Sequence, residues 1–193
     1  MVRTWQAFLK LVWPHEVIPK ANTTHQVVRF FNGTQYLSLY RDPTIQTLIK
    51  QTKYQANQTA AIQLASYLNW YVDSVKTDYV IIPMPISYQR WRARGYNHIE
   101  LICKQSQHAS KTHTGILRKS RHTTQQTQVK RSERISQQRG TFSCHPAKCR
   151  TLPRTVILLD DVVTTGATMA AARAVMEPHL PPHTKLICLA LAH

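Results

Sequence analysis

The chain reads as an α/β protein built on a mostly parallel, doubly wound sheet flanked by helices. Three observations lead there. Val156-Ile157-Leu158-Leu159, residues 79–82 and Lys185–Ala192 are apolar runs of strand length without a helical period, as expected for strands covered on both faces. Segments with helical apolar stripes alternate with them. The first two runs break at their carboxyl ends into two acids and into Pro83-Met84-Pro85, and that is the edge where open α/β sheets place ligands.

The elements follow in order. Trp5, Phe8, Leu9 and Val12 stand at helical spacing, and Trp13-Pro14 ends that helix. Two β-rich runs then flank Asn32-Gly33, a strong hairpin signal, although the strand alternation is imperfect and leaves room for a longer loop. Residues 1–40 are thus expected as a helix-and-hairpin appendage, and 41–193 as the main domain. Helices are expected over 43–54, with Ile45, Leu48 and Ile49 on one side, and over 59–72, with Ala61, Leu64, Ala65, Leu68 and Val72 as a stripe.

The strand over 79–82 runs into prolines that cannot continue a ladder, so the chain leaves the sheet there. A helix is expected over 96–109, and Asn97 fits either a helix cap or a turn. A polar, Gln- and Arg-rich stretch fills 111–139, the kind of long loop that is functional or disordered. A short strand near Phe142, a connector to Pro153, the central strand and a closing strand complete the order.

At 193 residues the chain suffices for one α/β domain with a full core. Its 25 Lys and Arg against 9 acids give a formal charge of +16. Residues 90–154 hold 15 of those bases with Glu100 and Glu133 as their only acids, which fits a polyanionic ligand, a small phosphorylated molecule or nucleic acid, the alternative being a solvated basic face. No apolar run approaches the roughly 20 residues of a membrane span. The N-terminus lacks a long apolar region with a small-residue cleavage site, so no signal peptide, no membrane insertion and a cytoplasmic location are expected. Cys103, Cys144, Cys149 and Cys188 form no Cys-x-x-Cys pair, so no zinc is expected. Cys188 reads as core, and Cys144 and Cys149 can approach each other as reduced thiols.

The chemistry concentrates at residues 155–169, TVILLDDVVTTGATM. Asp160 and Asp161 end the strand. Behind them Thr164, Thr165, Gly166, Ala167 and Thr168 open into a helix former, placing backbone N–H groups, hydroxyls and a permissive Gly where an anion would sit. The plain alternative is a capped helix whose dipole the acids complement. Two acids beside such a cup suit a ligand with hydroxyls, phosphate and a divalent cation.

That run resembles the phosphoribosyl pyrophosphate loop of type I phosphoribosyltransferases. Further motifs resemble the ComF family of phosphoribosyltransferase-like proteins: IIPMPISYQRWRARGYN, with Met84 and Tyr96 where the family has Val and Phe; Thr123, Gln126, Val129, Glu133, Arg134, Gly140 and Phe142 in a later run; and Lys53-Tyr54 in an early helix. Gln137 stands where the family has Asn, and the family's cysteine-rich zinc knuckle has no counterpart in 13–30.

The resemblance implies a type I phosphoribosyltransferase-like fold, with Asp160 and Asp161 at the ribose hydroxyls and favouring Mg²⁺, directly or through its waters. It implies Thr164 to Thr168 around the 5′-phosphate. Met84, Pro85, Ile86 and Ser87 would form a pyrophosphate loop, with Arg90, Arg92 or Arg94 supplying positive charge. Lys119, Arg121, Lys130 and Arg131 would lie on a mobile flap. The implied activity is transfer of ribose phosphate to an acceptor, in a protein of natural competence and DNA uptake. The alternative is a non-catalytic single-stranded DNA-binding or ligand-sensing protein of the competence machinery, with Trp70, Tyr71, Tyr88, Trp91 and Tyr96 either stacking on bases or simply packing.

Overall fold

The computed structural model describes residues 28–119 and 141–193. The expected helix over 4–12, the flap residues Arg121, Lys130 and Arg131 and the motif positions from Thr123 to Gly140 lie outside them. Two strands, β1 (Arg29–Phe31) and β2 (Thr34–Ser38), are followed by α1 (Pro43–Gln55), α2 (Gln58–Asp73), β3 (Tyr79–Pro83), α3 (Tyr88–Arg94) and α4 (His98–Gln105). Then come β4 (Leu117–Lys119), β5 (Phe142–Cys144), α5 (Pro146–Cys149), β6 (Thr155–Val162), α6 (Ala167–Met176) and β7 (Lys185–Ala192).

The main sheet is mixed, in the order β1-β2-β7-β6-β3, and β4 pairs with β5 in a separate two-stranded ribbon. β2, β7, β6 and β3 run parallel and only β1 is antiparallel, so the α/β expectation holds. Because strand side chains alternate, β6 divides its apolar run between two cores. Ile157 and Leu159 pack with Ile81, Leu189 and the buried faces of α1, α2 and α4. Val156 and Leu158 pack on the other side with Val80, Ile82, Met169, Ala172 and Phe142.

Local chemistry sets the element ends. Asp42 accepts the Thr44 N–H at 2.8 Å with Pro43 in the first turn of α1, and Asn57 accepts the Ala60 N–H at 3.1 Å at the start of α2. Asn32 and Gly33 both take positive φ, 44° and 74°, the two-residue turn whose twist suits a hairpin, and Phe31 pairs directly with Thr34. The hairpin is continuous with the main sheet through β2 and β7.

Some expectations shift. The helix expected over 96–109 begins at His98, because Asn97 is its cap and Gly95, at φ 80°, ends a separate seven-residue helix. That helix, α3, was not expected: its exposed aromatic and basic residues carry no apolar stripe. Within the polar stretch, residues 117–119 form a strand because Leu117 is buried beside Phe142.

Candidate functional site

The carboxyl ends of β3 and β6 lie side by side. Pro83 pairs with Leu159, and the Met84 N–H donates to the Leu159 carbonyl at 2.8 Å, so the proline turn leaves the sheet beside the acidic doublet. Met84 itself is anchored rather than presented: its side chain is buried in the core and its carbonyl accepts from Asn97 Nδ2 at 3.0 Å. Asn97 also caps α4, accepting the Ile99 N–H at 3.0 Å. One amide thus ties the turn to the helix behind it. Pro85, Ile86 and Ser87 follow half-buried, and Ser87 caps α3 through the Arg90 N–H at 3.3 Å.

Adjacent residues of a strand face opposite ways, and the two acids divide accordingly. Asp161 turns to the side of α1 and α4. Its Oδ2 accepts from Lys53 Nζ at 2.9 Å and lies 3.1 Å from His98 Nε2, while Oδ1 accepts the Val162 N–H at 3.0 Å. Burial alone would push this carboxyl up, but the hydrogen bonds and charges of His98 and Lys53 outweigh it and hold the group below the ordinary carboxylate range.

Asp160 turns the other way and is half-buried. Its Oδ1 accepts the Asp161 N–H at 2.9 Å. Desolvation, then the neighbouring Asp161 charge, raises its pKa well above the ordinary value. Lys119 shares this side. Desolvation and the charge of Arg90 lower its pKa, while Asp160 draws it back up.

Beyond Val162 the chain bends into the expected small-residue loop. Thr164, Thr165 and Thr168 are exposed, Ala167 is half-buried and Gly166 is buried at φ 76°, preceding the ten-residue α6. No side chain caps that helix, so its leading N–H groups are available to an anion, apart from Ala167 N–H, which reaches Thr165 Oγ1 at 3.4 Å. A Cβ at Gly166 would meet Asn32 Cβ at 3.0 Å and its carbonyl at 3.1 Å, and Asn32 Nδ2 donates to the Thr165 carbonyl at 3.1 Å. The hairpin turn therefore rests on the loop.

The arginines of α3 separate. Arg94 lies 5.1 Å from the centre of the Tyr54 ring, and its Nη1 is buried without a partner among the described residues. Arg92 lies over Tyr88, 5.9 Å from the ring centre, and Tyr88 stacks on Trp91 at 6.4 Å. Both rings are half-exposed, whereas Tyr71 is buried and Tyr96 half-buried: Tyr71 donates to Gln35, and Tyr96 donates to the Thr52 carbonyl at 2.8 Å and accepts the Ala56 N–H at 2.9 Å. Trp70 is exposed on α2.

A cleft of about 640 Å³ opens along α3 and α4, lined by Trp91, Tyr96, Asn97, Glu100 and Lys104 among others. Neither acid lines it, nor does any residue of the 164–168 loop, so the acidic rim lies outside this cleft. Among the described residues no three His, Cys, Asp or Glu side chains gather as a metal-binding cluster. The four cysteines are free thiols; burial pushes Cys149 up to about 12, with Cys144 beside it contributing, so these two do approach one another. No described helix is long and apolar enough to cross a membrane.

Lys53 and His98 were not singled out as site residues from the sequence. The signals were present: Lys53 belongs to the Lys-Tyr motif, and His98 directly follows the RGYN run.

No family model matches the chain. It is similar to competence protein F of Haemophilus influenzae (strain ATCC 51907 / DSM 11121 / KW20 / Rd), at 33% identity over 101 residues. That supports a ComF-like relationship. The similarity spans 49% of this chain and 42% of the relative's length.

Proposed function

We propose that this chain binds phosphoribosyl pyrophosphate with Mg²⁺ at the rim shared by β3 and β6, and that it serves DNA uptake in natural competence from the cytoplasmic side. One observation carries the ligand reading: the Met84 N–H to Leu159 carbonyl bond, 2.8 Å, seats the proline turn one residue from the acidic doublet. The competence reading rests on the similarity to competence protein F.

On this reading the 5′-phosphate sits against the uncapped N–H groups of α6 and the hydroxyls of Thr164, Thr165 and Thr168, with Gly166 and Ala167 allowing close approach. Asp160 meets the ribose hydroxyls, with Asp161 behind it. The turn of Pro85, Ile86 and Ser87, seated by Met84, faces the pyrophosphate, with Arg90 and Arg94 as its cationic partners; the unpartnered Arg94 Nη1 supports that role. Asp160 Oδ2 fits a hard cation, held directly or through water, and Asp161 Oδ2 is already engaged. Bound Mg²⁺ would neutralise the pyrophosphate as it leaves. The chain's own part is to orient the sugar, and Lys119 and Arg90 balance charge beside Asp160. The enzymatic form of the proposal is a type I phosphoribosyltransferase, moving ribose phosphate to an acceptor.

The test is calorimetric titration with phosphoribosyl pyrophosphate, with and without Mg²⁺. Saturable Mg²⁺-dependent binding that disappears in Asp160→Asn supports the reading; a wild-type chain that gives no binding with Mg²⁺ overturns it.

A second reading, a single-stranded DNA-binding module, is favoured by one feature. Tyr88 and Trp91 stack while half-exposed, with Arg92 over Tyr88, an arrangement suited to stacking bases beside phosphates. A single-stranded oligonucleotide added as competitor in the same titration separates the two.

A further inference from the structure

Two adjacent acids on one strand are not equivalent here. Asp161 is 6% exposed and fully engaged, by an ammonium from α1, an imidazole from α4 and its neighbour's N–H. Asp160 is half-buried, and the hydrogen bond its Oδ1 accepts comes from the Asp161 N–H rather than from a helix. A buried carboxylate held by partners from two separate helices is a fixed point, because releasing it would leave a charge without compensation.

We infer that Lys53 and His98 are positioning residues for the phosphoribosyl pyrophosphate site: by clamping Asp161 they lock the carboxyl end of β6 to α1 and α4, and so aim Asp160 and the 164–168 loop at the ligand. This rests on the ligand reading above. Lys53 reaches Asp161 at 2.9 Å from the last turn of α1, and His98 reaches it at 3.1 Å from the first residue of α4. Asn97, the cap immediately before His98, holds the Met84 carbonyl, so the same short segment fixes both halves of the rim. Tyr54, next to Lys53, carries Arg94 on its ring, which extends the clamp to a cation of the proline-turn side. Neither Lys53 nor His98 need touch the ligand. Lys53, with its side chain 24% exposed, and His98, 5% exposed, are both directed to Asp161.

The experiment measures the affinity of the full chain for phosphoribosyl pyrophosphate with Mg²⁺, beside its melting temperature without ligand, in wild type, Lys53→Met, Lys53→Arg, Asp161→Asn and the Lys53→Met/Asp161→Asn double variant. Expected are a tenfold or greater loss of affinity in Lys53→Met, recovery to within about threefold in Lys53→Arg, and a double variant no weaker than Asp161→Asn alone, the signature of a residue acting through its partner. Lys53→Met that lowers the melting temperature but keeps wild-type affinity overturns positioning, since the clamp would then be structural only. A further loss in the double variant equal to that of Lys53→Met alone also overturns it, because Lys53 would then act on the ligand directly. A wild-type chain that does not bind sinks the ligand reading itself, whereas a binding wild type with an insensitive Lys53→Met sinks only this inference.

Discussion

Asn32 reaches the Thr165 carbonyl at 3.1 Å across 133 positions of sequence. Its Cβ lies where a side chain on Gly166 would have to go. The turn of the hairpin and the anion loop are therefore fitted to each other, and His193 reinforces the fit. Its ring stacks on Phe31 at 4.0 Å, and its Nδ1 lies 2.8 Å from the Val163 carbonyl.

Gly166→Ala should fail on two counts, a left-handed backbone and a clash with Asn32. The expected loss is about 2 to 4 kcal/mol of stability, with phosphoribosyl pyrophosphate affinity falling in parallel. Gly95→Ala, also at positive φ but with open space around it, should cost only about 1 to 2 kcal/mol. Thermal unfolding of the two variants side by side checks the difference.

The acids should split in pH dependence. Asp160 has a raised pKa in the fold, so the folded state holds a proton that the unfolded state releases, and its contribution declines as pH rises above about 4. The decline is at most about 1.4 kcal/mol per pH unit and stops once the raised pKa is passed. Asp161 is lowered, so its contribution is present above about pH 4 and is lost as pH falls. Denaturant unfolding in metal-free buffer from pH 4 to 8 should show Asp160→Asn flattening the alkaline decline. Asp161→Asn should lose about 1 to 3 kcal/mol at neutral pH.

Asn97→Ala removes the cap of α4 and the anchor of the Met84 carbonyl together. A loss of about 1 to 2 kcal/mol is expected from the cap. Phosphoribosyl pyrophosphate affinity should weaken as well, because the proline turn is freed. Asn57→Ala, which removes the cap of α2 but no bond to the proline turn, should lower stability similarly with a smaller effect on affinity.

Trp91→Ala tests the DNA reading without touching the acidic rim. If bases stack on α3, binding of a single-stranded oligonucleotide should weaken by about 1 to 3 kcal/mol, and log affinity should still fall linearly with log salt. Unchanged oligonucleotide binding in Trp91→Ala removes α3 as the stacking platform.

Much of this was legible in order along the chain. Val156 to Leu159 announces a doubly covered strand because both of its faces are apolar, and Asn32-Gly33 announces a two-residue turn because both positions tolerate positive φ. The α3 helix was not legible, since exposed Tyr88, Trp91 and three arginines leave no periodic apolar signal. Nor were the partners of Asp161, which lie 108 and 63 positions away.

Sequence alone determined the class of fold, the strands that carry it and the candidate anion loop, because periodicity, turn chemistry and helix entry are properties of neighbouring residues. Only the tertiary structure decided that one acid of the doublet faces Lys119 and the open rim while the other is clamped between Lys53 and His98. Alternation along β6 turns adjacent side chains to opposite faces of the sheet, and what each one meets depends on helices packed there from distant parts of the chain.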